Sequence, residues 1–297
     1  MKLLKLTVLL LTCIGLRAEV FFTPQMISSH LADYSDEDVH LINKDLDVIR
    51  SVCFEGTCNS DSKVYLATAG APGARKTTIL EKFIFNHPQY KKSVYVDPDP
   101  RALKFMVHTY HAQSLSPLVI SQGSDYDRVI KEAYNRWRPA SNYIALTVLE
   151  EAFDQEKSVV HGTTSTGGHL PIFYPNLKEH GYKIVLLLCS CPDDVRYQAV
   201  DYRNKNIRFY QSSPEDAVAK GKIFPQRMET YFTYADLMYF YWSDSLTTPE
   251  KLAGIWADGK LEVIDANAMQ KFIDKYESDR IELERLGKSI PDFDSFL

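Results

Sequence analysis

The run LATAGAPGARKTTIL, residues 66–80, places small and apolar residues ahead of two glycines, Gly70 and Gly73. A lysine and two hydroxyl residues follow, Lys76, Thr77 and Thr78, at the head of a segment with helical spacing. A loop that wraps a phosphate needs those parts. A strand delivers the chain, glycines let backbone N–H groups face the anion, and the N-terminus of a helix adds positive potential. The lysine then reaches the outer phosphates, and the first hydroxyl residue binds Mg2+. So read, the loop comprises Gly70, Ala71, Pro72, Gly73, Ala74, Arg75, Lys76, Thr77 and Thr78. Arg75 stands where the pattern G-x-x-x-x-G-K-[ST] has its second glycine. Its Cβ falls where positive φ and close backbone approach are expected. Its side chain could lie across the nucleotide entrance, or turn outward and add charge for the phosphates.

The rest of the 297 residues fits an α/β fold with a mostly parallel sheet flanked by helices. Strands are expected at 64–69, 93–96, 158–163 and 183–190, the last, KIVLLLCS, being the most apolar. Helices are expected at 77–85, 101–111, 125–137, 141–155, 192–205, 214–243 and 267–287, with a hairpin turning at Asp258-Gly259. Before the first strand lies a helical preamble, residues 19–62. Ser35 is its candidate N-cap, and Val39, Ile42, Leu46 and Ile49 recur on one helical face.

Net charge is −5, so no overall basic field favours nucleic acid. At the N-terminus, Lys2 and Lys5 precede an apolar run at 6–16 and then Ala18, the layout of an export leader over residues 1–18. Past it, no stretch is long and apolar enough to span a membrane. Besides Cys13 in that leader, Cys53 and Cys58 enclose four residues and could close a disulfide loop in an exported chain. Cys189 and Cys191 read as small buried hydrophobes of a strand.

Several segments together resemble the zeta toxin family: GAPGARKTT, VYVDPDPR, RPASNYI, VVHGTTSTGG, GYKIVLLLCSCPDDVRYQAVDYR and KGKIFP, in that order over roughly residues 63–275. The resemblance implies a P-loop kinase domain at 63–297 that uses ATP (or GTP) and Mg2+ to phosphorylate a hydroxyl of a nucleotide sugar such as UDP-N-acetylglucosamine. It assigns Lys76 to the phosphates and Thr77 to the metal. Asp99 becomes the carboxylate that takes the acceptor's proton, with Asp97 as the fallback. Arg203 contacts the transferred phosphate. An antitoxin or host protein is the implied partner.

The same resemblance marks departures. His161 stands where the family carries an acid before Gly-Thr, and it cannot be a stable anion. Ala145 or Leu146 replaces a helical acid, with Glu150 and Glu151 a turn later. Lys222 occupies the place of a lid arginine, with Arg208 as another lid cation. Thr163 and Thr164 remain as hydroxyl contacts to substrate. Two further readings stay open: a nucleotide-binding pseudokinase, or an exported effector that acts by binding another protein.

Overall fold

The computed structural model describes residues 21–59, 62–115, 126–207 and 214–297. The leader at 1–18 with Cys13, and the lid cation Arg208, lie outside the described residues. The strands are β1 Val64–Ala69, β2 Val94–Val96, β3 Val159–His161, β4 Lys183–Ser190, β5 Leu237–Trp242, β6 Lys251–Ala257 and β7 Lys260–Val263. The α-helices are α1 Pro24–Ser28, α2 Asp36–Phe54, α3 Lys76–Asn86, α4 Tyr110–Ser114, α5 Tyr126–Asp154, α6 Leu170–Glu179, α7 Asp193–Tyr202, α8 Pro214–Gly221, α9 Met228–Tyr234 and α10 Ala266–Arg285.

One sheet orders the strands β2-β3-β1-β4-β5-β6-β7. The first five run parallel, and β6 and β7 are antiparallel additions. Helices cover both faces, so the central strands read as nearly unbroken apolar runs. Alternate residues of β1 and β4 feed two cores. Tyr65, Ala67, Ile184, Leu186 and Leu188 enter the larger core, with α2, α5, α6 and α10. Leu66, Val185, Leu187 and Cys189 meet Ile79, Leu80 and Phe83 of α3 on the other face.

After β1 the chain crosses to β2 and β3 on one side, then to β4 and β5 on the other. The carboxyl end of β1 is therefore the point where strand order reverses. Open α/β sheets form their ligand crevice at such a point, and the glycine loop begins there.

The preamble shares this core rather than standing apart. Ser35 caps α2 by accepting from Asp38 N, and Ile42, Leu46, Ile49 and Cys53 are buried in the larger core. Glu150 accepts from Phe21 N and Phe22 N at 3.0 and 2.9 Å, and Glu151 pairs with Arg50 at 2.7 Å. Both acids thus tie the preamble to α5. Cys53 and Cys58 are free thiols, Cys53 buried and Cys58 exposed, so the expected disulfide loop does not form. Burial on the core face of α2 turns Cys53 away from its neighbour.

Three expected elements need correction. Residues 101–111 are not one helix: a π-helical turn, Pro98–Ala102, and a 3-10 turn, Leu103–Phe105, precede α4, which begins at Tyr110. The helices placed at 125–137 and 141–155 are one helix, α5, carrying Pro139 inside it. A proline in a helix frees a carbonyl and bends the ladder. Here the Tyr34 hydroxyl enters that ladder, donating to Arg136 O and accepting from Ala140 N at 3.3 Å. The helix expected over 214–243 is two, α8 and α9, the second ending at Tyr234, and LMYFYW is instead strand β5. Its burial alternates, with Met238, Phe240 and Trp242 inward, the period of a strand.

Candidate active site

The loop after β1 turns on two glycines. Gly70 and Gly73 take φ of 144° and 86°. A Cβ at Gly70 would collide with Cys189 O, and one at Gly73 would stand 2.5 Å from Arg196 O. Gly70 N donates to Thr164 O at 3.1 Å and Ala74 N to Ala71 O at 3.2 Å, which fixes the turn. Among the described residues, the N–H groups of Gly73, Arg75, Lys76 and Thr77 meet no acceptor. They form the open donor set expected at the head of a helix. Lys76 Nζ reaches back over the loop to Ala71 O at 2.8 Å. Burial brings the Lys76 ammonium down to about 8, with the Arg203 charge acting in the same sense. These donors, the lysine and the Thr77 hydroxyl fit nucleotide phosphates with an accompanying Mg2+. That ion binds through few protein ligands and keeps its waters.

Arg75 adopts the left-handed conformation, φ 57° and ψ 21°, just ahead of α3. Its guanidinium turns away from the loop. Nη1 donates to Ser245 O at 2.9 Å and Thr248 O at 2.7 Å, and Nη2 pairs with Glu250 at 2.6 Å. Glu250 is buried and also takes Lys82 Nζ at 2.5 Å. The arginine therefore staples the phosphate loop to the segment between β5 and β6. A non-glycine residue held left-handed costs roughly 1–2 kcal/mol, and the three contacts offset it.

Beyond β2, Asp97 is buried and caps the next turn by accepting from Asp99 N at 2.9 Å. Burial, and then the Asp99 charge, push Asp97 up to about 8. Asp99 faces the other way, its Oδ1 2.9 Å from Arg138 Nε. Arg138 lies beside the Pro139 bend of α5. Arg203, just past α7, is partly buried, and that desolvation disfavours its charge, while Asp99 and Asp97 act on it to favour the charge. Lys76, Asp97, Asp99, Arg138 and Arg203 thus converge at the strand ends.

The β3 end is built differently. His161 Nδ1 lies 2.7 Å from the Tyr65 hydroxyl. Burial, aided by His169, pulls the imidazole down to about 3, so it is neutral. Thr163 and Thr164 hold their own loop. Thr68 Oγ1 donates to Thr163 O at 2.6 Å, Ser165 N donates to Thr163 Oγ1 at 3.2 Å, and the Thr164 and Thr166 hydroxyls share a bond at 2.8 Å. Lys222 pairs with Glu282 of α10. Arg227, which sequence reasoning passed over, donates Nε to Thr166 O at 3.3 Å. Its signal in the sequence was its place two residues after Pro225. Arg138 was likewise missed, although it opens RPASNYI.

A surface hollow of about 550 Å3 opens elsewhere, lined by Lys178, Tyr182, Lys183, Asp236 and Trp256 at the starting ends of β4 and β5. It holds the Lys178–Asp236 ion pair and no donor cradle. Chemistry, rather than size, makes the opposite end of the sheet the candidate site.

No family model matches the chain, and no curated protein matches it. Solved structures do. A chain of the AvrRxo1-ORF1:ORF2 complex with ATP matches with TM-score 0.55 and 15% identity, over 86% of this chain and 85% of that one. The same complex with sulphate ions matches with TM-score 0.55 and 14% identity, over 86% and 83%. A structure from the PezAT chromosomal toxin–antitoxin system of Streptococcus pneumoniae follows at 14% identity, over 84% and 98%, with TM-score 0.48. At such identities the likeness speaks for fold. The chain has the α/β fold of the matched chain in the AvrRxo1-ORF1:ORF2 structures, with a mostly parallel sheet flanked by helices.

Proposed function

We propose that the chain is an ATP-dependent phosphotransferase that phosphorylates a hydroxyl of a small molecule, with nucleotide sugars the first acceptors to try. The observation that carries this reading is the open row of N–H groups with Lys76 at the strand-order reversal, beside two carboxylates and two arginines. Lys76 and the loop donors hold the phosphates. Mg2+, when bound with the nucleotide, neutralises developing phosphate charge, and Thr77 is the residue to hold it. Arg138 aims Asp99, which accepts the acceptor's proton, and Arg203 stabilises charge on the group in transfer. A relative of the same fold was crystallised with ATP, which favours ATP as the donor.

Purified protein incubated with labelled ATP and a panel of nucleotide sugars should transfer label. Lys76→Ala should lower the rate about 10²–10³-fold and Asp99→Asn about 10²–10⁴-fold. Unaltered transfer in both variants would sink the assignment. The neutral His161 favours one second reading, a pseudokinase, which would bind nucleotide and transfer nothing. A structure of the same fold in a two-component complex favours a protein partner for this chain too. Export through residues 1–18 is also proposed, with N-terminal sequencing of the mature chain as its test.

A further inference from the structure

Gly73 of the phosphate loop rests on the backbone of Arg196, in the first turn of α7. A Cβ at Gly73 would stand 2.5 Å from Arg196 O and 2.9 Å from its Cα. The Arg196 side chain enters the junction of α7, α8 and α10. Its Nη2 pairs with Asp193 Oδ1 at 2.8 Å, and Lys275 of α10 meets the same oxygen at 3.2 Å while holding Asp279 at 2.5 Å. Gly221, the last residue of α8, closes the junction. A Cβ there would collide with Arg196 Nη1 and stand 2.8 Å from Cζ. One residue thus meets the phosphate loop through its backbone and α8 through its side chain.

The Arg196 side chain is 5% exposed, and its Nε meets no acceptor among the described residues. A buried guanidinium with an idle donor is a costly filling for a junction, and an apolar side chain of similar volume would avoid that cost. Its value lies in position. Arg203 follows seven residues later and keeps helical dihedrals, φ −64° and ψ −46°. Residues at that spacing share one helix face. Arg203 Nε donates to Ala199 O at 3.4 Å, which ties its side chain to α7. The helix is therefore clamped through Arg196 at one end and carries Arg203 at the other. Resting on the phosphotransferase reading, we propose that Arg196 is a positioning residue for Arg203. By locking α7 between the phosphate loop and α8, it aims Arg203 at the phosphoryl group in transfer.

The test follows label leaving ATP, to any nucleotide sugar of the panel or to water, alongside calorimetry of ATP binding to the full chain. Arg196→Met keeps the backbone under Gly73, so ATP affinity should stay within about threefold while turnover falls about 10–100-fold. Gly221→Ala, whose Cβ displaces Nη1, should lower turnover in the same way. Arg203→Ala alone should cost about 10²–10³-fold. Adding Arg196→Met to it should cost no more than about twofold, because the two arginines act as one unit. Losses that multiply in the double variant, or turnover unchanged in Arg196→Met, overturn the proposal and spare the phosphotransferase reading. ATP affinity that falls as far as turnover makes Arg196 a support of the loop alone, and overturns the proposal too. Wild type that moves no label overturns the proposal and the phosphotransferase reading together.

Discussion

The two sides of the crevice are made by different means. On the phosphate side, backbone does most of the work: glycines at positive φ, a row of N–H groups and one lysine, all within nine consecutive residues. On the acceptor side, side chains from distant elements meet. Asp99 follows β2, Arg138 comes from the middle of α5, and Arg203 follows α7. Next to Arg138, at Pro139, the Tyr34 hydroxyl of the preamble bridges Arg136 O and Ala140 N of α5. A backbone site tolerates an odd side chain so long as that chain finds somewhere to go, as Arg75 does at Glu250. A side-chain site depends on every partner.

That contrast predicts an order of effects. Arg138→Met leaves the phosphate loop whole but frees Asp99 to move, so ATP affinity should hold while turnover falls about 10²-fold, the cost of a displaced catalytic group. A parallel loss of ATP affinity would break the division between the two sides. His161 gives a pH signature on the acceptor side. It is neutral when folded and titrates near 6.5 when unfolded. Below that value the unfolded chain binds the extra proton, so stability falls as pH drops from about 6.5 toward 3, by up to about 1.4 kcal/mol per pH unit. Urea unfolding of wild type and His161→Gln across that range should show a steeper fall in wild type, the difference between the two being the His161 contribution. The smallest effect lies in the loop. Arg75→Ala and Arg75→Gly both lose the staple, but only alanine keeps a Cβ at positive φ. The glycine variant should be the more stable of the two by about 1 kcal/mol in the same assay; equal stabilities would mean the loop relaxes its left-handed turn.

The same contrast explains what the sequence disclosed. The strand, glycine turn and helix from β1 through Thr78 were legible because one short stretch holds all three. The parallel order of strands followed from alternating patterns. Strand β5 was not legible, because TYFTYADLMYFYW carries aromatic residues at both helical and strand spacing, and only pairing with β4 and β6 decides. The continuity of α5 past Pro139 depends on a hydroxyl 105 residues earlier in the chain. Arg75 was seen as an anomaly, but its direction was set by Glu250, far along the sequence. Lys222 was placed by a lid pattern, whereas Glu282 of α10 draws it outward.

The central claim is that the loop with Arg75 is a working phosphate site, held open by its staple rather than decayed. Calorimetric titration of wild type and Arg75→Gly with ATP tests it most directly. Wild type should bind, and the glycine variant should bind no more tightly, since it gains a permissive backbone but loses the anchor to Ser245, Thr248 and Glu250. Absent binding in wild type, restored by the glycine, would contradict the account.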